Sequence, residues 1–113
     1  MHELSIMQSA LSLALDQARQ AGGSRVHTIR LRIGALSGVV PEALEFAFEA
    51  LAPGTPAEGA KLAVEHVPAR FWCAQCAREF QSDDLFAECP GCHSPSGELR
   101  AGREMELASL EID

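Results

Sequence analysis

The chain's four cysteines fall in two pairs, Cys73-Ala74-Gln75-Cys76 and Cys89-Pro90-Gly91-Cys92, separated by twelve residues. Two residues between cysteines let both sulfurs of a pair turn toward one ion, and a short loop lets the second pair close a tetrahedron. No cysteine is left over. Two disulfides, or four unrelated buried thiols, are the competing readings. Disulfide frameworks accompany secretion, and the chain opens without the basic, apolar and small-residue succession of a signal peptide. The pattern is therefore read as a thiolate metal site. Zinc is the expected ion, and iron in a rubredoxin-like knuckle is the chemical competitor. Four thiolates leave no coordination position open for water, so a catalytic zinc is not expected.

A second set of metal-capable atoms stands at the start, Met1-His2-Glu3. A terminal amine, the neighbouring backbone amides and an imidazole lie within one short segment. Deprotonated amide nitrogens are strong donors, and with the amine and imidazole they make a square plane of four nitrogens, a geometry that suits Ni(II) or Cu(II) and not tetrahedral zinc. Glu3 adds a carboxylate as an outer partner or as a charge at a helix N-terminus. On its own a histidine at position 2 is an ordinary exposed residue, so this motif needs the rest of the chain to give it weight.

The chain has 113 residues, 47% of them hydrophobic, and a formal charge of −7. That length makes one domain, or one small domain carrying a metal-held lobe. No apolar run has membrane-spanning length. The acidic balance argues against nucleic acid, whose phosphates call for basic patches. Between the cysteine pairs only Arg78 is basic, against Glu79, Asp83, Asp84 and Glu88. The Gly residues are too scattered for a phosphate-cradling loop, and no nucleophile–base pair stands out once the cysteines are assigned.

The elements that must hold these groups follow from periodicity. Leu4, Met7, Leu11, Ala14 and Ala18 recur at steps of three and four, predicting an amphipathic helix over 4–21 that ends at Gly22 and Gly23. Alternation of Ile29, Leu31 and Ile33 with Thr28, Arg30 and Arg32 predicts a half-buried strand over 26–33. Pro41 opens a second helix with Leu44, Ala47, Phe48 and Leu51 on its apolar face, stopped by Pro53 and Gly54. A second strand is expected over 61–67. A third, over 103–112, would place Met105, Leu107 and Ser109 on one side and Glu106, Ala108 and Leu110 on the other. Between them, residues 70–100 are too few to bury a core, so the metal must supply much of their folding free energy. His27 is expected at a strand end and His66 in a structural position, neither as a ligand.

Taken together, Met1-His2-Glu3-Leu4-Ser5, the run Ile33-Gly34-Ala35-Leu36-Ser37-Gly38, the segment Pro41-Glu42-Ala43-Leu44-Glu45-Phe46-Ala47-Phe48, the paired cysteines and Gly102-Arg103-Glu104-Met105-Glu106-Leu107 resemble the HypA/HybF family of hydrogenase-maturation nickel chaperones, in the same order and over essentially the whole chain. The resemblance implies an α+β fold. A nickel-binding domain, residues 1–69 plus 101–113, would have two helices on a small three-stranded sheet. A zinc-ribbon-like lobe, residues 70–100, would be inserted in it. It implies nickel ligation by the Met1 amine, the His2 backbone nitrogen and imidazole and the Glu3 backbone nitrogen, and zinc ligation by Cys73, Cys76, Cys89 and Cys92. His93 is expected as an outer partner of the zinc. The implied function is no catalysis but transfer of Ni(II) by ligand exchange; a cytoplasmic location is expected from reduced-thiol metal binding and the missing signal peptide. The implied partners are a HypB-type GTPase and the large-subunit precursor of nickel–iron hydrogenase, or urease accessory proteins in some members. A zinc-ribbon interaction module without nickel transfer is the alternative, and a rubredoxin-type electron carrier leaves most of the chain without purpose.

Overall fold

The computed structural model describes residues 2–83 and 87–113, and of residue 2 the backbone alone. Helix α1 spans His2–Gln20. Its residues Met7, Leu11, Ala14 and Ala18 are all buried, as the three-and-four spacing demands. The helix ends where Gly22 turns left-handed (φ +81°). There the N–H of Gly23 reaches the carbonyl of Ala18 at 2.8 Å and that of Gly22 reaches Arg19 at 3.0 Å, the paired closing bonds of a Schellman motif.

Strand β1 (Val26–Gly34) is the middle of a three-stranded sheet in the order β2, β1, β6, where β2 is Lys61–Val67 and β6 is Met105–Ile112. It runs parallel to β2 and antiparallel to β6. The parallel neighbour is reached through helix α2 (Pro41–Leu51), since parallel strands need a long crossover. Pro41 sits where a helix start tolerates a missing N–H. Leu44, Ala47 and Phe48 of α2 join Met7, Ile29 and Leu31 in one apolar core. Full burial of side chains the size of Met7, Ile29 or Leu44 stabilises by about 1.5–3 kcal/mol each.

Two irregularities change what strict alternation implies. The β1–β6 register shifts between Val26 and Thr28, so His27 is an extra residue on β1. Val26 then turns into the core, and the His27 ring faces out to Asp113 at 2.6 Å. The register shifts again opposite Arg30 and Leu31, whose partners are Ser109 and Leu107, leaving Ala108 as the bulged residue. The expected single-phase strand 103–112 is therefore wrong in its second half. Leu110 and Ile112 pack against the same core as Leu107, while Met105 is half exposed.

The other face of this sheet is polar. Arg32 spans all three strands, binding Glu65 on β2 at 2.9 Å and Glu106 on β6 at 2.8 Å. These partners, Glu106 first, raise the guanidinium above its ordinary pKa. At such exposure the pairs are screened by solvent and individually weak, so the ladder sets register more than stability.

After Val67 the chain builds a second three-stranded sheet that alternation did not predict. It consists of β3 (Arg70–Cys73), β4 (Arg78–Gln81) and β5 (Leu99–Ala101), with β3 in the middle. Its core among the described residues is Ala69, Phe71, Cys73, Phe80, Ala87 and Cys89, with Phe71 and Phe80 stacked 5.9 Å apart. The molecule is long, 53 × 28 × 16 Å, with a radius of gyration of 17.3 Å against about 13 Å for a compact chain of this length.

Three backbones meet where the two sheets join. A Cβ on Gly34 would collide with the Gly102 backbone, and one on Gly102 would lie 2.8 Å from the Ala69 Cα. The N–H of Leu36 donates to Gly102 at 2.6 Å, that of Ala35 to Val67 at 2.9 Å and that of Gly34 to Glu104 at 2.8 Å. The Leu36 side chain packs into the second core. Gly34→Ala is expected to destabilise the protein by about 1–3 kcal/mol through overpacking. Gly38→Ala, in open space at φ +80°, should cost only the left-handed penalty of about 1–2 kcal/mol. Urea denaturation of the metal-loaded protein measures both costs, and amide exchange at Leu36 distinguishes them, because only Gly34→Ala should also weaken the contact of Leu36 with the second core.

Candidate metal centre

The two cysteine pairs sit on matching turns. Cys73 ends β3 and lies opposite Arg78, the first residue of β4, so Ala74 to Ala77 must reverse the chain in a tight knuckle. The N–H of Cys76 points at the Cys73 sulfur, 3.4 Å away. In the second knuckle the N–H of His93 bonds the carbonyl of Cys89 at 2.8 Å, and the N–H of Cys89 bonds that of Ser94 at 2.9 Å. The residue after each pair's second cysteine has a positive φ, 51° at Ala77 and 62° at His93, and these are the only two non-glycine residues with positive φ among those described. The same backbone solution is used twice.

This geometry brings Cys73, Cys76, Cys89 and Cys92 together with their sulfurs within 4.8 Å of one another. Cys73 and Cys92 are 3.5 Å apart, Cys76 and Cys89 3.9 Å, and none is in a disulfide. A regular tetrahedron with metal–sulfur bonds of about 2.3 Å has edges of about 3.8 Å, so the four donors fit a single tetrahedral ion without rearrangement of the backbone. Cys73 and Cys89 are buried and Cys76 and Cys92 half-buried, which shields the donors while leaving one side of the cluster near solvent.

The thiols are electrostatically unequal. The backbone N–H of Cys92, helped by that of Gly91, stabilises the Cys89 thiolate and brings its pKa down to about 6 against the cost of burial. The hydroxyl and backbone of Ser94 lower Cys92. Cys76 is pushed up to about 12, held as a thiol by its contacts with Cys92 and Cys89 and by burial. A divalent cation reverses that last preference by supplying positive charge to the crowded sulfurs.

The other sequence-predicted residues are placed differently. The His93 ring turns away to Glu88, Nδ1 to Oε1 at 3.3 Å, and its side chain is 77% exposed. His66 is exposed, and His27 pairs with Asp113. Met1 and the side chain of His2 lie outside the described residues. Glu3 is described: its carboxylate accepts the Val40 N–H at 3.2 Å, tying the first turn of α1 to the residue that precedes α2. Sequence reasoning had this carboxylate near the terminus but had no signal for its contact with Val40.

Residues 1–112 match the family described as HypA, hydrogenase/urease nickel incorporation, metallochaperone. The chain belongs to the HypA family. It is 50% identical over 112 residues to the hydrogenase maturation factor HypA of a Picosynechococcus strain, covering 99% of both chains. It is 42% identical over 113 residues to that of Methylocella silvestris, covering both completely. Its fold is similar to a solution structure of a HypA protein (TM-score 0.70, 26% identity, 99% of this chain and 96% of that one). A solution structure of the Ni metallochaperone HypA from Helicobacter pylori shares the fold as well (TM-score 0.66, 24% identity, 97% and 96%). The HypA family is one of nickel-incorporating metallochaperones and not of enzymes, which agrees with a thiol cluster that offers no open coordination position.

Two predictions follow from the knuckles. In metal-free protein the ultraviolet thiolate absorption should show a first step near pH 6 that disappears in Cys89→Ser. Because the Cys89 pKa is lowered on folding, its contribution to stability is present above its unfolded value and is lost as pH falls through about 6. Cys76 has the opposite sign: its contribution is present below its unfolded value and lost as pH rises through about 12. Separately, Ala77→Gly removes a left-handed penalty of about 1–2 kcal/mol against an unfolded-state entropy cost of about 0.5–1 kcal/mol. Thermal unfolding should therefore show a gain of up to about 1.5 kcal/mol.

Proposed function

We propose that this chain carries Ni(II) on its first three residues to a nickel-enzyme precursor, and that Cys73, Cys76, Cys89 and Cys92 hold a resident zinc. The observation that carries the reading is the match of residues 1–112 to a nickel-incorporation family, which takes in both the Met1-His2-Glu3 start and the four-sulfur cluster.

Nickel is here the cargo. The proposed donors are the Met1 amine, the His2 backbone nitrogen and imidazole, and the Glu3 backbone nitrogen. His2 and Glu3 open α1. By helix geometry the amides of a first turn have no acceptor within the helix, so deprotonating them breaks no helical bond. The positive end of the helix dipole favours the resulting anions. Acid reprotonates amide and imidazole together, which gives a route to release. Glu3 then serves through its carboxylate, holding the first turn against Val40.

A closed thiolate site supplies structure and no chemistry of its own; zinc, which has no redox activity, suits that role. Held by Cys73, Cys76, Cys89 and Cys92, it would tie the two knuckles around a core of six described residues. The proposed division of labour is residues 1–69 plus 101–113 for nickel and 70–100 for zinc, supported by the separate sheets and separate cores. The proposed recipient is the large-subunit precursor of nickel–iron hydrogenase, with a HypB-type GTPase as working partner and the cytoplasm as the place of work. Urease maturation is the second client class. No helix among the described residues is long and apolar enough to cross a membrane.

The test is Ni(II) titration of the metal-loaded protein with a native N-terminus beside His2→Ala, following calorimetry and the visible spectrum together. One tight site with a square-planar d–d band, both lost in the variant, is the expected result. Equal binding by the two proteins would move the site elsewhere, and no binding by either would leave a zinc-ribbon interaction module. Metal analysis of the purified protein should find one zinc per chain. A red, iron-loaded protein would sink the zinc assignment.

A further inference from the structure

Arg78 and Gly91 meet across the two cysteine knuckles. A Cβ placed on Gly91 would collide with Nη2 of Arg78 and would lie 3.6 Å from the Cys76 sulfur. The guanidinium thus occupies the space that a side chain at position 91 would fill, on the rim of the sulfur cluster. Its place is dictated locally. Arg78 is the first residue of β4, registered against Cys73, and it follows the left-handed turn at Ala77. The β3–β4 hairpin therefore delivers it to the tip of the second knuckle.

Charge gives this placement a purpose. Four thiolates around a divalent ion leave two negative charges in a partly buried site. Arg78 is the only Lys or Arg between Cys73 and Cys92, in a segment that also carries Glu79, Asp83, Asp84 and Glu88. The ion pairs of the described residues do not include it, so no carboxylate among the described residues is paired with it. A guanidinium is planar, permanently charged and weakly hydrated, which suits a site where thiolates and backbone crowd together. Groups beyond the first ligands that balance charge and fix ligand orientation commonly change metal affinity by about 10–100-fold.

We propose that Arg78 is a positioning residue of the four-thiolate site, clamping the second knuckle to the first and balancing the negative charge left when zinc is bound, and that Gly91 is there to admit it. This rests on the zinc reading above. Gly91 does not have the positive φ that would make it obligatory for backbone reasons, so its role is the room it leaves.

The experiment measures zinc affinity by competition with a chromophoric chelator, and the rate of alkylation of the metal-bound thiolates, in wild type, Arg78→Ala, Arg78→Lys and Gly91→Ala. Arg78→Ala is expected to lose about 10–100-fold in zinc affinity and to be alkylated faster, since its thiolates keep more negative charge. Gly91→Ala, which displaces the guanidinium while leaving Arg78 in the chain, should shift both readouts in the same direction. Arg78→Lys should fall between wild type and Arg78→Ala. Zinc held as tightly by Arg78→Ala and Gly91→Ala as by wild type overturns the proposal, as does Arg78→Lys behaving like Arg78→Ala while Gly91→Ala is unaffected. Wild type that binds no zinc, or whose zinc survives Cys73→Ser, overturns the zinc reading and the Arg78 role with it.

Discussion

The convergence of four sulfurs within 4.8 Å is the constraint from which the distal half of the molecule takes its form. Each knuckle must reverse the chain in four residues and still present both sulfurs inward. The backbone achieves this by entering the left-handed region at Ala77 and His93, positions where glycine would be cheaper. The short hairpin of β3 and β4, the stacked Phe71 and Phe80, and the small residues Ala69 and Ala87 line up behind those turns. This core is far smaller than the one under α1 and α2. The sulfur cluster and the cation it is shaped for carry weight that apolar burial carries elsewhere in the chain.

The other half is built by ordinary means. Two amphipathic helices lie on one face of a mixed sheet, and an ion-paired ladder centred on Arg32 covers the opposite face. The proposed nickel segment is the first turn of α1, where the Glu3 carboxylate bonds the Val40 N–H, just ahead of the proline that starts α2. A terminus used to pass a metal ion must be exposed enough to meet an acceptor and anchored enough to keep its donors together. The carboxylate contact at the third residue is compatible with both demands.

Much of this was legible in the residues. Met7, Leu11, Ala14 and Ala18 announced α1, Gly22 and Gly23 its end, and Pro41 the start of α2, because each signal is local. The cysteine spacing announced the sulfur cluster for the same reason. What escaped depended on partners distant in the chain. Alternation assumes an unbroken ladder, so the bulges at His27 and Ala108, which turn Val26 and Leu110 inward, left no trace in the strand patterns. The β3–β5 sheet was hidden in a segment too short and too polar to alternate clearly. Leu36 lies between the predicted strand and the helix opened by Pro41, and nothing near it in sequence says that it enters the second core. Arg78 was visible only as the lone basic residue between the cysteine pairs, and its place over Gly91 needed the fold.

The junction between the two sheets has a mechanical meaning. Gly34, Gly102 and Ala69 are in near backbone contact, the N–H of Leu36 donates to Gly102 just after β5, and Leu36 is plugged into the far side. Such a seam behaves as a weld and not as a hinge, because swinging one half past the other would drive those backbones together, break the Leu36 bond and withdraw its side chain. The loop that crosses it ends at Val40, the residue gripped by Glu3. In a body 53 Å long, a partner that takes hold of the cysteine end therefore also sets the orientation of the first turn of α1. The molecule resembles a handle with a fixed tip, aimed by whatever grasps it.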